Sequence, residues 1–169
     1  QKKIDIKKKY KKLQEDESNI DEITAKKNGY LNEIIRCYMP HIYEVGDHKG
    51  NNLINLWTKE NIEHAFKLLD KPNYTVNSSF LEFLKRVKFT SVTIYSPIMT
   101  KSLIKELNCK TIFDPCIGWG GRMIGTTCLG NDYHYTGCEP FTKTFYGLEK
   151  IVKDLQLESQ VELYNHPVE

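Results

Sequence analysis

The run Asp114-Pro115-Cys116-Ile117-Gly118-Trp119-Gly120-Gly121-Arg122 constrains this chain more than any other segment. An acidic residue closes a short β-rich run, Thr111-Ile112-Phe113, and glycines at 118, 120 and 121 then lead into a helical pattern. A strand-to-helix turn that brings its backbone close to a ligand has no room for a Cβ. A second acid, Glu139, follows the next β-rich run, Tyr133 to Cys138, and lies 21 residues after Gly118. That separation is close to the roughly 20 residues between a glycine turn and the carboxylate that takes ribose hydroxyls in dinucleotide folds. Both acids fall at the carboxyl ends of predicted parallel strands, where open α/β sheets bind ligands. The pattern points to an adenosine-containing ligand.

The surrounding rhythm supports a parallel sheet. Ser96-Pro97 opens an N-capped helix over Ile98 to Leu107, and a second helix is predicted from about Gly121 to Leu129. A third helix covers Thr142 to Leu155, and Val161 to Tyr164 reads as a third strand. Strands alternating with helices of this length build βαβ units. Upstream the pattern is helical instead. Leu31, Ile34, Ile35 and Tyr38 share one helix face, and Pro40 ends that helix at or just before Met39. Gly46 to Asn52 reads as an exposed turn, and Thr58 caps a helix burying Ile62, Ala65, Phe66 and Leu69. Val76 to Ser79 reads as a loop and N-cap for a helix over Phe80 to Val87. The predicted organisation is a helical region over 1–89 and an α/β region over 90–169.

Composition narrows the remaining classes. No apolar run approaches the roughly 20 residues a membrane-spanning helix needs. No apolar stretch near Gln1 resembles a signal peptide, so a cytoplasmic rather than secreted or membrane protein is expected. Five widely spaced cysteines with no C-x-x-C argue for reduced thiols, and Cys116, Cys128 and Cys138 read as small buried residues. His134 and His166 have no metal-ligand spacing, so no metal site is expected. Lysines crowd positions 2–12 and acids follow from Glu15 to Glu22, a block that reads as a solvated helix or frayed arm. The alternative for that block is a phosphate-contacting arm or a nuclear address. The formal net charge of +2 does not itself require a nucleic-acid partner.

Which adenosine ligand is meant depends on the glycine spacing. A nicotinamide or flavin fingerprint, G-x-G-x-x-G counted from Gly118, fails because its sixth position is Met123. No G-K-[ST] follows, which excludes a phosphate loop of the Walker type. Asp114 would face a pyrophosphate unfavourably but would accept an ammonium group. S-adenosylmethionine carries an ammonium, a sulfonium and no phosphate.

The run D-P-x-x-G-W-G-G-R, with Tyr95-Ser96-Pro97 before it and Tyr135-Thr136-Gly137-Cys138-Glu139-Pro140 after it, resembles class I S-adenosylmethionine-dependent methyltransferases. Within them it is most similar to phage and giant-virus DNA methyltransferases that act on the adenine amino group. The resemblance spans about Thr90 to Glu169. It implies a Rossmann-like α/β sheet, here partial with about three parallel strands, and S-adenosyl-L-methionine as cofactor. It assigns the methionine part to Asp114, Pro115, Gly118, Gly120 and Gly121, and the ribose to Glu139 with Pro140 beside it. Tyr95, Ser96 and Pro97 would contribute at the methionine carboxylate end. Asn165, His166 or Glu169 would offer a polar group to the adenine. Trp119 would stack on the cofactor or simply cover the core.

One departure from that pattern bears on activity. Enzymes of this kind hold the target amino group with a D-P-P-Y or N-P-P-Y segment after the fourth strand, and no such segment occurs here. The expectation is therefore a cofactor-binding portion without its catalytic half, and the catalytic residues stay unassigned. Arg122, in the first turn of a helix, is expected to pair with Asp114 or Glu139 rather than to bind ligand. DNA is the expected partner. The alternatives are RNA or small-molecule methylation, or a non-catalytic nucleic-acid-binding subunit that kept the fold.

Overall fold

The structure is a computed structural model that describes residues 5–23, 32–47, 49–67 and 92–169. The chain forms two compact units, Gln1–Met39 with Ile94–Glu169, and Pro40–Thr93 between them in sequence. The helical region predicted over 1–89 is thus divided, its first 39 residues belonging with the sheet. Leu31, Leu69, the loop predicted over 76–79, the helix predicted over 80–87 and the side chains of Ala65 and Phe66 lie outside the described residues.

The first unit is α/β. Among the described residues its sheet has three strands, β1 (Thr111–Asp114), β2 (His134–Cys138) and β3 (Val161–Tyr164), in the order β1-β2-β3. Both pairings are parallel, with Ile112 opposite Tyr135 and Tyr135 opposite Val161. The connections are helical, as parallel pairs require. α5 (Gly121–Thr127) joins β1 to β2 and α6 (Thr142–Leu155) joins β2 to β3. α4 (Pro97–Leu107) precedes β1, with Ser96 Oγ as its N-cap and Pro97 at its first turn. These elements fall close to where hydrophobic period and capping residues predicted them.

Strand alternation sorts the sheet into two unlike faces. Ile112, Asp114, Tyr135, Gly137, Val161 and Leu163 share one face by the register. Tyr135 is buried there, as are Met123 and Ile124 of α5 and Leu148 and Ile151 of α6. The opposite face carries Phe113, His134, Thr136, Cys138 and Tyr164. Phe113 is 61% exposed and Tyr164 44% exposed, so the described helices leave much of this face open. Parallel sheets are ordinarily covered on both faces.

Close helix contacts explain several glycines. A Cβ on Gly121 would lie 1.8 Å from the Tyr95 carbonyl oxygen, and one on Gly125 would lie 2.3 Å from that of Pro97. The small stripe on α5 therefore lets the start of α4 sit directly on it. Gly147 of α6 does the same for Met39, whose Cγ would be 2.8 Å away. Met39 follows α2 (Asn32–Tyr38), which buries Ile34 and Ile35 as the spacing predicted. Tyr38 closes the contact by donating its hydroxyl to Asp154 at 2.7 Å.

Of the two forms expected for the lysine-dense N-terminal segment, the described residues take the helical one, with Lys7, Lys8, Lys11 and Lys12 exposed. Residues Ile6–Glu15 form α1, N-capped by Asp5, and the helix is docked rather than frayed. Tyr10 and Leu13 are buried, and the Tyr10 hydroxyl donates to Thr127 Oγ1 at 3.0 Å. Burial pushes the Tyr10 phenol well above its ordinary pKa, so the hydroxyl stays protonated. The Lys101 ammonium, 2% exposed, donates to the carbonyls of Leu13, Gln14 and Asp16 at 2.8, 2.8 and 2.7 Å. Three donors meet three acceptors at a helix C-terminus, where a cation also suits the dipole. Ser102 Oγ adds a bond to the Ser18 carbonyl.

The second unit is described only in part. A 3₁₀ turn, Pro40–Tyr43, is followed by a loop in which the Asp47 carboxylate accepts the Lys49 and Asn51 amides. α3 (Lys59–Lys67) begins after Thr58, whose hydroxyl accepts the Asn61 amide as predicted for an N-cap. Pro40, Tyr43, Leu53, Ile54 and Trp57 line an apolar groove within this unit.

Among the described residues no helix is long and apolar enough to cross a membrane.

Candidate functional site

The loop between β1 and α5 lies against the carboxyl end of β2. Its Ile117 amide donates to the Cys138 carbonyl at 3.1 Å, and its Gly118 amide donates to Glu139 Oε2 at 3.0 Å. Gly118 has φ +58° and a Cβ there would meet nothing within 4 Å, so this glycine serves the turn and borders open space. Gly120, with φ +82°, faces the interior, since its Cβ would lie 2.6 Å from a Leu148 methyl. The three glycines of the motif thus do different work. Gly118 fronts the open side, Gly120 turns the chain over the core, and Gly121 admits Tyr95.

Asp114 ends β1 and is buried. Its Oδ2 accepts from Arg122 Nε at 2.7 Å and from the Tyr135 hydroxyl. Its Oδ1 accepts from Arg122 Nη2 at 3.0 Å and from the Cys116 amide at 3.2 Å. Burial alone would raise this carboxyl. The Arg122 and Tyr135 hydrogen bonds and the guanidinium charge outweigh it and hold Asp114 below the usual carboxylate range. Burial, reinforced by Asp114, pushes the Tyr135 phenol far up, so Tyr135 is a permanent donor here. Hydrogen bonding to Asp114 raises Arg122 further. The expected pairing of Arg122 falls on Asp114 rather than Glu139.

Arg122 is also bound to the Cys116 carbonyl, and its Cζ lies 5.4 Å from the centroid of the Tyr95 ring. Tyr95 is 44% exposed and is the member of the Tyr95-Ser96-Pro97 segment that faces outward at the site. Ser96 and Pro97 are buried at the start of α4, where their roles are capping and packing.

Glu139 is buried just beyond β2. Its second oxygen accepts the Phe141 amide at 2.9 Å, so the carboxylate bridges the loops that follow β1 and β2. Asn165 extends the bridge to the end of β3, its amide donating to the Glu139 carbonyl at 2.8 Å. Asn165 thus has a loop-stapling role beside the adenine role implied by the resemblance. His166 packs against Tyr164, with ring centroids 5.5 Å apart. Pro115 and Pro140 are exposed in their loops, Trp119 is half-buried, and Glu169 is exposed with no hydrogen bond to the loop residues among the described residues.

Two features depart from the sequence reading or were missed by it. Cys116 is exposed in the loop, whereas Cys128 and Cys138 are buried, and burial pushes the Cys128 thiol up to about 12. The hydroxyl of Tyr135 on Asp114 was missed because it depends on strand register. Alternation puts Tyr135 and Gly137 on one side of β2, but only the pairing of Asp114 with Gly137 places that side beside the acid. A separate groove along α6 and β3, lined by Tyr146, Lys150, Lys153, Val161 and Leu163, contains none of the expected site residues.

Comparison with protein-family models, with curated proteins and with solved structures returns no match.

Proposed function

We propose that the α/β unit binds S-adenosylmethionine and belongs to a methyltransferase that acts on an adenine amino group in DNA. The observation that carries this reading is the Gly118 turn, which opens at the carboxyl ends of two parallel strands with Glu139 bonded to its backbone. Ligands of open α/β sheets bind at such strand ends. Two further features support it. The parallel order β1-β2-β3 is that of one half of a doubly wound, Rossmann-like sheet. The open face around Phe113 and the edge of β1 are the surfaces that the other half of such a sheet covers.

In this reading Glu139 would take the ribose hydroxyls at the rim of the loop, and the cofactor would supply an electrophilic methyl group. The chain's own residues would bind and orient it, and the adenine amino group would have to be held in line with the methyl group. A base in duplex DNA would have to be flipped out to reach the methyl group.

Calorimetric titration tests the ligand. S-adenosylmethionine or S-adenosylhomocysteine should bind the 169-residue chain, and an excess of NAD should not compete. Tight binding of NAD with no signal from S-adenosylmethionine or S-adenosylhomocysteine would refute the assignment.

A further inference from the structure

Resting on the cofactor reading above, we infer that Arg122, and not Asp114, recognises the amino-acid end of the ligand, by donating from Nη1 to its carboxylate. An ionised carboxylate offers about four acceptor positions. Asp114 uses all four within the protein, on the Cys116 amide, the Tyr135 hydroxyl, and Arg122 Nε and Nη2. An ammonium group could reach Asp114 only by displacing one of these donors. The sequence expectation that Asp114 takes the ammonium therefore meets an acid already saturated.

The arginine is the half-used partner. Of its five N–H donors, Nε spends one on Asp114 and Nη2 spends two, on Asp114 and the Cys116 carbonyl. Nη1 carries the other two and meets no acceptor among the described residues. Its guanidinium plane is fixed by the fork to Asp114 and by the Tyr95 ring 5.4 Å away, yet the side chain remains 34% exposed. A cation held in one orientation, with two donors left over and open to solvent, is suited to a planar carboxylate. A dianionic phosphate fits less well, because Asp114 and Glu139 leave the surroundings net negative. A zwitterionic amino acid brings no net charge. Asp114 is in this scheme a positioning residue, and Tyr135 positions Asp114 in turn.

The test compares three ligands on the full chain by calorimetry. S-adenosylhomocysteine carries the carboxylate, its decarboxylated analogue keeps only the amine, and 5′-methylthioadenosine has neither. The chain should prefer S-adenosylhomocysteine over the decarboxylated analogue by roughly tenfold or more, as for a charge-assisted hydrogen bond. In Arg122→Met that ratio should fall to near one. Arg122→Lys keeps a cation on Asp114, so it guards against loss of folding, but it lacks the planar fork and should also lose most of the ratio. Phe113→Ser, on the open sheet face, should leave the ratio intact. Equal binding of S-adenosylhomocysteine and its decarboxylated analogue by the native chain, or a ratio that survives in both Arg122 variants, would overturn the inference alone. Failure of all three ligands to bind a folded chain would overturn the cofactor reading with it.

Discussion

Gly118 and Glu139 are 21 residues apart in sequence and joined by a 3.0 Å hydrogen bond from the glycine amide to Oε2. The acid that the spacing singled out for a ribose is thus also a structural strut. Its other oxygen holds the Phe141 amide, so the loops after β1 and β2 share one carboxylate.

This changes what Glu139→Gln should do. A ribose role alone would leave the unliganded protein unaffected. Glutamine, however, keeps one acceptor oxygen and turns an NH₂ toward a backbone N–H, so one of the two amides is left without a partner. We expect a loss of about 1–3 kcal/mol in unliganded stability, measured by urea unfolding, together with weaker cofactor binding. Unchanged stability would mean that the strut contributes little.

Asp114 should confer acid sensitivity. Its folded pKa is lowered, so the unfolded chain binds the proton more readily. The stabilisation is therefore complete above the unfolded value, about 3.9, and is lost as pH falls through the folded value. Asp114→Asn should be less stable than the native chain at pH 7 by about 1–3 kcal/mol. Melting curves of the two proteins should converge as the pH drops below about 4. A constant gap down to pH 2 would assign the acid transition to other carboxylates.

The glycines of the motif should separate by mutation. In Gly121→Ala the new methyl would lie 1.8 Å from the Tyr95 carbonyl oxygen, and only backbone movement can relieve that clash. A loss of about 3 kcal/mol or more, or failure to fold, is expected. Gly118→Ala meets no atom and incurs only the left-handed conformation, about 1–2 kcal/mol. Circular dichroism melts of both variants decide the order, and a worse result for Gly118 would reverse it.

Phe113 should be dispensable to this chain. Replacing an exposed phenylalanine on the open sheet face with serine should change stability by no more than about 0.5 kcal/mol. Leu13→Ala in α1, where the side chain is 2% exposed, should cost about 2–5 kcal/mol. Comparable losses at the two positions would show that something covers Phe113 in solution.

What the sequence made legible follows from distance along the chain. Helix α4, its Ser96 cap, the strands ending at Asp114 and Cys138, and helix α6 all rest on local period and capping. A pairing of Arg122 with Asp114 or Glu139 is also expected, and the fold decides it for Asp114. What stayed hidden depends on partners brought together by the fold. The Tyr135–Asp114 contact needs the register of two strands, and the saturation of Asp114 follows from it. The docking of the lysine-rich helix α1 stayed hidden because nothing local reveals Tyr10 meeting Thr127, 117 residues later. The glycine run was legible as a turn, but packing against Tyr95 gave Gly121 a different purpose from Gly118.

The lysine at the end of α1 also bears on the order of events during synthesis. Lys101 follows Asp16 by 85 residues, and the whole second unit is translated between them. A ten-residue helix is marginal on its own in water. At about 5–20 residues per second, α1 emerges roughly 4 to 17 s before the ammonium that closes its last turn. Through that interval its apolar side, with Tyr10 and Leu13, has neither α4 nor α5 to rest on. Of the described helices α1 is thus translated earliest and completed among the last, since its closing contacts wait for α4 and α5.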